Sequence, residues 1–213
     1  MGKKGISVII VMGLLYAVNI NAQATAEKKS VPAASKTTAK IVPVKKVIVD
    51  DFETKEITGW NQRTMEWKDG AIEETIGDVV KLSLVTDKKL IKDGKQSLKF
   101  EYAPVIVTDT KFARLTKRLE GKEMGKNDTI SFYVNVESGS ASVTIELFDS
   151  TTWKKWGITE PITLNKKGWN KVTVQQNKFP VQDGWEKINI IQLILKGKVV
   201  AYFDDIEFVK SGK

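Results

Sequence analysis

The strongest metal-ligating side chains in this sequence are carboxylates, because it contains neither histidine nor cysteine. That composition removes Ser-His-Asp and Cys-His nucleophilic arrangements, and it removes imidazole and thiolate metal sites. What remains is hard oxygen chemistry, which suits calcium or magnesium. The acids gather in two acidic-aromatic segments that bracket most of the chain. Val47-Ile48-Val49-Asp50-Asp51-Phe52-Glu53 stands at one end and Ala201-Tyr202-Phe203-Asp204-Asp205-Ile206-Glu207-Phe208 at the other. Between them, Asp93-Gly94-Lys95-Gln96-Ser97-Leu98-Lys99-Phe100-Glu101-Tyr102 reads as a turn that runs into an alternating strand.

The elements that must position these acids are strands. Leu98, Phe100 and Tyr102 alternate with polar residues, as do Ile130, Phe132, Val134 and Val136. Val143, Ile145 and Leu147 repeat the pattern, and so do Val172 and Val174. A period of two is the signature of a half-buried antiparallel strand. Ile188 to Leu195 is more continuously apolar and predicts a central strand, buried on both sides or bulged. Turn signals at Lys92-Asp93-Gly94, Gly125 to Asp128, Ser138-Gly139, Lys166 to Gly168, Asp183-Gly184 and Lys196-Gly197 separate the runs. No segment keeps a 3.6 period long enough for a substantial helix. Many short strands at this spacing predict an all-β, antiparallel two-sheet sandwich.

An opening strand, a Gly-turn strand and a closing Asp-Asp strand in this order resemble the jelly-roll carbohydrate-binding modules of bacterial glycan-degrading systems, within the wider galactose-binding-like fold. The resemblance spans roughly residues 47–210. It implies a structural calcium where the first strand, the Gly-turn and the last strand meet. Carried over by position, Glu53 follows the Phe of the opening motif and Asp204 is the first Asp of the closing motif. The Lys92–Gln96 turn would supply carbonyls, with Asp93 a further side-chain ligand. Such an ion would clip both ends of a disulfide-free sandwich. Which of Asp50 and Asp51 turns inward stays open.

Sugar rings stack their C–H faces on aromatic planes, so the resemblance directs attention to the six tryptophans. Trp60, Trp169 and Trp185 adjoin strand motifs and are expected in the core. Trp153 and Trp156 lie in the polar stretch Ser150 to Gly157. On one strand, a spacing of three would set them on opposite faces; on a loop they would form one platform. They are the first choice for stacking. Tyr133, Arg114, Asn135 and Glu146 point away from the apolar faces of their strands. Should those faces share a sheet, Tyr133, Arg114 and Glu146 would add stacking, charge and hydrogen bonding to a concave surface.

The N-terminus reads as a leader. Lys3 and Lys4 precede an apolar run from Ile6 to Val18, and small residues follow at Ala22, Ala24 and Ala26. Residues 1–24 are therefore expected to be a signal peptide, with cleavage after Ala22, Ala24 or Ala26. Residues 25–46, rich in Lys, Ala, Ser, Thr and Pro, are expected to be a disordered spacer. The mature protein is expected to be secreted, periplasmic or in the cell envelope, with no membrane span after cleavage.

The net charge of +8 is misleading until it is divided. The leader contributes +2 and residues 25–46 contribute +5, which leaves +1 on residues 47–213. A nearly neutral domain is not an electrostatic reader of nucleic acid. No acidic pair belongs to a recognisable enzyme architecture, and Glu120 to Lys126 has glycines but also acids that would repel phosphate. The expectation is a non-catalytic module that recognises a polysaccharide or cell-envelope glycan. The alternatives are a structural or envelope interaction protein on the same fold, and an assembly factor, a class in which this fold also occurs.

Overall fold

A computed structural model describes residues 46–158, 160–180 and 183–211. The expected leader, and the spacer up to residue 45, lie outside the described residues. Among those described, no helix is long and apolar enough to cross a membrane.

In chain order the strands are β1 (Val47–Asp50), β2 (Trp60–Lys68), β3 (Ala71–Glu74), β4 (Val79–Val85), β5 (Ser97–Ala103), β6 (Lys111–Arg118), β7 (Thr129–Gly139), β8 (Ala141–Phe148), β9 (Lys155–Gly157), β10 (Ile162–Leu164), β11 (Trp169–Gln175), β12 (Ile190–Lys196) and β13 (Val199–Val209). They form two antiparallel sheets. One runs β11-β7-β13-β5-β4, with β1 also paired to β13; the other runs β10-β8-β12-β6-β2-β3, with β9 paired to β8. Helical structure among the described residues is confined to single turns at Lys88–Leu90, Gln176–Lys178 and Trp185–Lys187. The all-β sandwich expected from the alternation is the fold observed.

The period of two decides the packing. In β8, Ala141, Val143, Ile145 and Leu147 are buried while the residues between them are half-exposed. The inward residues of both sheets meet in one core. At its centre Phe203 lies against Phe100 at 6.1 Å, edge to face, and against Phe132 at 5.9 Å. Each such ring contributes about 1.5–3 kcal/mol by leaving water. The continuous apolar run forms β12, flanked by β8 and β6. Its Ile191, Leu193 and Leu195 enter the core. Ile190 and Gln192, on the opposite face, are buried as well.

The last strand changes partners along its length. Val199 to Phe203 of β13 pair with β5, and Ile206 to Phe208 pair with β1. Against β7, the register slips between Asp204 and Glu207. Asp205 sits there in the left-handed region, at φ 48°, a conformation Asp tolerates better than most residues. This bulge is why Asp204 is turned fully inward, with no exposed surface.

Candidate functional site

Two places in the sandwich concentrate polar chemistry. The first is the junction where β13 exchanges β5 for β1. There the carboxylate of Asp204 accepts hydrogen bonds from the backbone N–H groups of Lys92 (3.0 Å), Asp93 (3.2 Å) and Asp205 (2.9 Å). Glu53 Oε1 accepts from the N–H groups of Lys95 (2.7 Å) and Gln96 (3.1 Å). Gln96 Nε2 donates back to the carbonyl of Thr54 at 3.0 Å. Asp93 Oδ1 accepts from the N–H of Gly94 at 2.8 Å. The expected juxtaposition of Glu53, Asp93 and Asp204 around the turn is therefore present. The turn offers these carboxylates its N–H groups, and the links already tie the segment after β1 and the last strand to it.

Asp50 and Asp51 divide the work. Asp50 turns towards Trp60, whose Nε1 donates to it at 2.8 Å, and forms an ion pair with Lys117. Asp51 accepts from the N–H of Glu53 at 3.2 Å. Phe52 between them is buried at φ 57° and stacks on Trp60 at 6.4 Å.

The junction carries excess negative charge. Burial pushes the Asp204 carboxyl up to about 6, against the opposing pull of the N–H groups of Asp93 and Lys92. Asp205 is raised too, by burial and then by repulsion from Asp93. Lys46, paired with Glu207 at 2.9 Å, partly offsets the rise of Asp205. An all-oxygen donor set with surplus charge is chemically suited to a hard cation. Among the described residues, however, no three acidic side chains converge on a point, so the carboxylates would have to turn toward a shared ion.

The second place is the outer face of the β10-β8-β12-β6-β2-β3 sheet. Register defines its rungs. Glu146, Gln192, Thr116 and Asn61 lie in one row; Thr144, Ile194, Arg114 and Arg63 lie in the next. The first row is a hydrogen-bonded ladder. Lys155 Nζ donates to Glu146 Oε1 at 3.0 Å, Gln192 Nε2 to Glu146 Oε2 at 2.7 Å, and Thr116 Oγ1 to Gln192 Oε1 at 3.1 Å. A cleft of about 450 Å³ opens over this face, floored by Phe112, Phe148 and Ile194 and flanked by Trp67 and Trp153. The strands β2 and β8, which carry or precede these tryptophans, are three inter-strand steps apart, about 14 Å.

Trp153 is 63% exposed and held at φ 55°, an uncommon conformation for a bulky residue and one that persists only when its surroundings enforce it. Asp149 enforces it. Its carboxylate accepts from the Thr151 N–H and the Thr152 hydroxyl, both at 2.8 Å, and its carbonyl accepts from the Trp153 N–H at 2.8 Å. These bonds hold the Asp149 carboxyl below its usual range, the Thr151 N–H foremost. Asn189 secures the loop from β12's side, exchanging hydrogen bonds with Ser150 at 2.9 Å in both directions. Arg118 lies over the exposed indole at 5.6 Å.

The structure brings together Trp153, Arg114 and Glu146, and it separates the other two candidates from them. Trp156 is fully buried. It packs edge to face on Trp185 at 6.4 Å, because β9 points it inward while the turn before it points Trp153 out. It is a core residue and offers no platform. Tyr133 lies on β7, in the opposite sheet, between Lys92 at 4.9 Å and Lys171 at 5.5 Å. Its face and that of Arg114 are the two outsides of the sandwich, so they cannot form one surface. Trp60 and Trp185 are core residues as expected, and Trp169 is half-buried. Trp67, 49% exposed, and Gln192 were missed. The alternation around Trp67 is broken by Lys68-Asp69-Gly70, and Gln192 sits within an apolar run, so neither advertised its face.

No protein-family model matches the chain, and no curated protein matches it by sequence. Solved structures do match its shape. The family 11 carbohydrate-binding module from Clostridium thermocellum, in complex with a β-1,3-1,4-mixed-linked tetrasaccharide, superposes with a TM-score of 0.56 at 16% identity. The match covers 80% of this chain and 98% of that one. The family 11 module of a cellulosomal cellulase of the same organism gives 0.55 at 16% identity, over 80% and 97% of the two chains. A module specific for non-crystalline cellulose, CBM28, gives 0.52 at 14% identity, over 78% and 95%. The fold is thus the jelly-roll β-sandwich of carbohydrate-binding modules.

Proposed function

We propose that this protein is a non-catalytic module that binds a polysaccharide chain across the outer face of the β10-β8-β12-β6-β2-β3 sheet. The observation that carries this reading is Trp153. A large aromatic is kept in solvent, in a strained conformation, by a loop that Asp149 holds through the Thr151 N–H, the Thr152 hydroxyl and the Trp153 N–H. Trp67 stands across the same cleft, and the Glu146–Gln192–Thr116 ladder presents fixed polar groups between them. Aromatic planes would take the C–H faces of sugar rings and the ladder their hydroxyls. Because the platform is ordered before binding, little entropy is lost in forming the complex. The likeness in fold to modules that bind mixed-linked glucan or non-crystalline cellulose supports the same reading.

The test is affinity electrophoresis through a panel of neutral and charged polysaccharides. At least one should retard the protein, and Trp153→Ala and Trp67→Ala should each weaken that retardation about tenfold with an unchanged melting temperature, as loss of one stacking contact implies. Absence of retardation by every polymer would overturn the proposal. Calcium at the junction of Glu53, Asp93 and Asp204, and export by way of the leader, belong to the same proposal. The first is read by melting in calcium and in chelator, the second by the N-terminus of the mature protein.

One observation favours a second reading, a protein-interaction module. Ile76, Val105, Ile106 and Val107 are exposed on the loops flanking β4 and β5, and Val79 is exposed at the start of β4; clustered exposed apolar groups mark contact surfaces. Retention of a protein partner that survives Trp153→Ala would support it.

A further inference from the structure

The proposed binding face is strongly basic although the domain is almost neutral. Residues 47–213 carry +1. By register, Arg63, Arg114, Arg118, Lys155 and Lys196 all belong to this one face, against Glu146 and, at the edge, Glu74. Glu146 is already engaged by Lys155 and Gln192. Arg63 and Arg114 are direct cross-strand partners. Like charges placed opposite each other destabilise a sheet, and among the described residues neither guanidinium has a carboxylate partner. The sequence has three arginines, Arg63, Arg114 and Arg118, and register places all three on this face. Arg114 lines the cleft between Trp67 and Trp153, and Arg63 is its cross-strand neighbour on β2. Guanidinium forks carried at facing positions of adjacent strands suit the oxygens of a carboxylate or sulfate group.

We propose that the polysaccharide recognised here is anionic, with its carboxylate or sulfate substituents bound by Arg63 and Arg114 while its rings lie on the flanking tryptophans. This rests on the reading of the face as a polysaccharide site and deepens it. It sets this chain apart from structural neighbours whose ligands are a mixed-linked glucan and cellulose.

The experiment measures retardation of the protein in gels containing hydroxyethylcellulose, carboxymethylcellulose, polygalacturonate and a sulfated galactan. The first two share a backbone and differ in charge; the last two separate carboxylate from sulfate. The charged polymers should retard the wild type at least tenfold more strongly than hydroxyethylcellulose. Arg63→Gln with Arg114→Gln should abolish that preference, and added salt should weaken the wild type far more than the variant. Melting curves establish that the variant is folded. Lys166→Gln with Lys167→Gln, in the turn before β11, removes equal charge elsewhere and should leave binding unchanged. Equal losses in the two double variants would mean unspecific charge attraction and overturn the proposal. Equal retardation by neutral and charged polymers, lost in Trp153→Ala, would also overturn it while leaving the polysaccharide site intact. No retardation by any polymer would overturn both.

Discussion

Acidification should stabilise this protein before it destabilises it, and Asp204 is the reason. Its carboxyl is fully buried and pushed from an ordinary 3.8 up to about 6, chiefly by loss of solvent. A carboxylate whose folded value is raised opposes folding when ionised. The penalty is absent below the unfolded value, grows between the two, and is complete above the folded one. A shift of about two units at 1.36 kcal/mol each makes the whole penalty roughly 3 kcal/mol. Going from pH 7 to pH 5 in chelator relieves about one unit, or about 1.3 kcal/mol. For a domain of this size that raises Tm by roughly 3–5 °C. Asp205, raised in the same way, reinforces the trend. Below about pH 4 the sign reverses, since Asp78, Asp128 and Glu101 are held below their ordinary range and lose their partners on protonation. Asp204→Asn should flatten the rise between pH 7 and pH 5, because an amide keeps an acceptor for the N–H groups of Lys92 and Asp93 but does not titrate. Calcium bound at the junction would hold Asp204 ionised, so it should raise Tm at pH 7 and raise it less at pH 5. Scanning calorimetry from pH 4 to pH 8 measures all of this. A wild-type Tm in chelator that is level or falling from pH 7 to pH 5 would show that Asp204 does not titrate in this window.

Three further outcomes follow from packing. Trp156→Ala removes a fully buried indole against Trp185 and should cost about 3–5 kcal/mol, seen as a large drop in urea midpoint; a drop under 1 kcal/mol would mean that the site collapses or the indole is not core. Gly94→Ala should destabilise the protein by more than about 1 kcal/mol in chemical denaturation, since Gly94 is at φ 68° and an added Cβ would lie 2.3 Å from Glu53 Oε1. Asp149→Ala should release the loop that presents Trp153, shifting tryptophan emission and weakening polysaccharide retardation nearly as much as Trp153→Ala; retained affinity would separate the loop's order from binding.

The strands and their faces were legible in the amino-acid order alone. A period of two is a local property, so Leu98–Tyr102, Ile130–Val136 and Val143–Leu147 announce which side is buried without reference to any partner. Composition likewise settled the ligand chemistry available, because a chain without histidine or cysteine has only oxygen to offer a hard ion. Turn residues marked Asp93-Gly94 as a turn; that it meets Glu53 and Asp204 was implied by the resemblance to carbohydrate-binding modules, and both carboxylates do accept from its N–H groups. Tertiary structure decided the rest. Sheet membership is a long-range pairing, invisible in alternation, and it sent Tyr133 to one outside of the sandwich and Arg114 and Glu146 to the other. The backbone at Trp153 is set by the carboxylate of Asp149 and the amide of Asn189, the latter from a strand entry some forty residues on; that geometry exposed Trp153 and buried Trp156, three positions away. The opposition of Arg63 and Arg114 depends on the register of β2 against β6, which only the assembled sheet fixes.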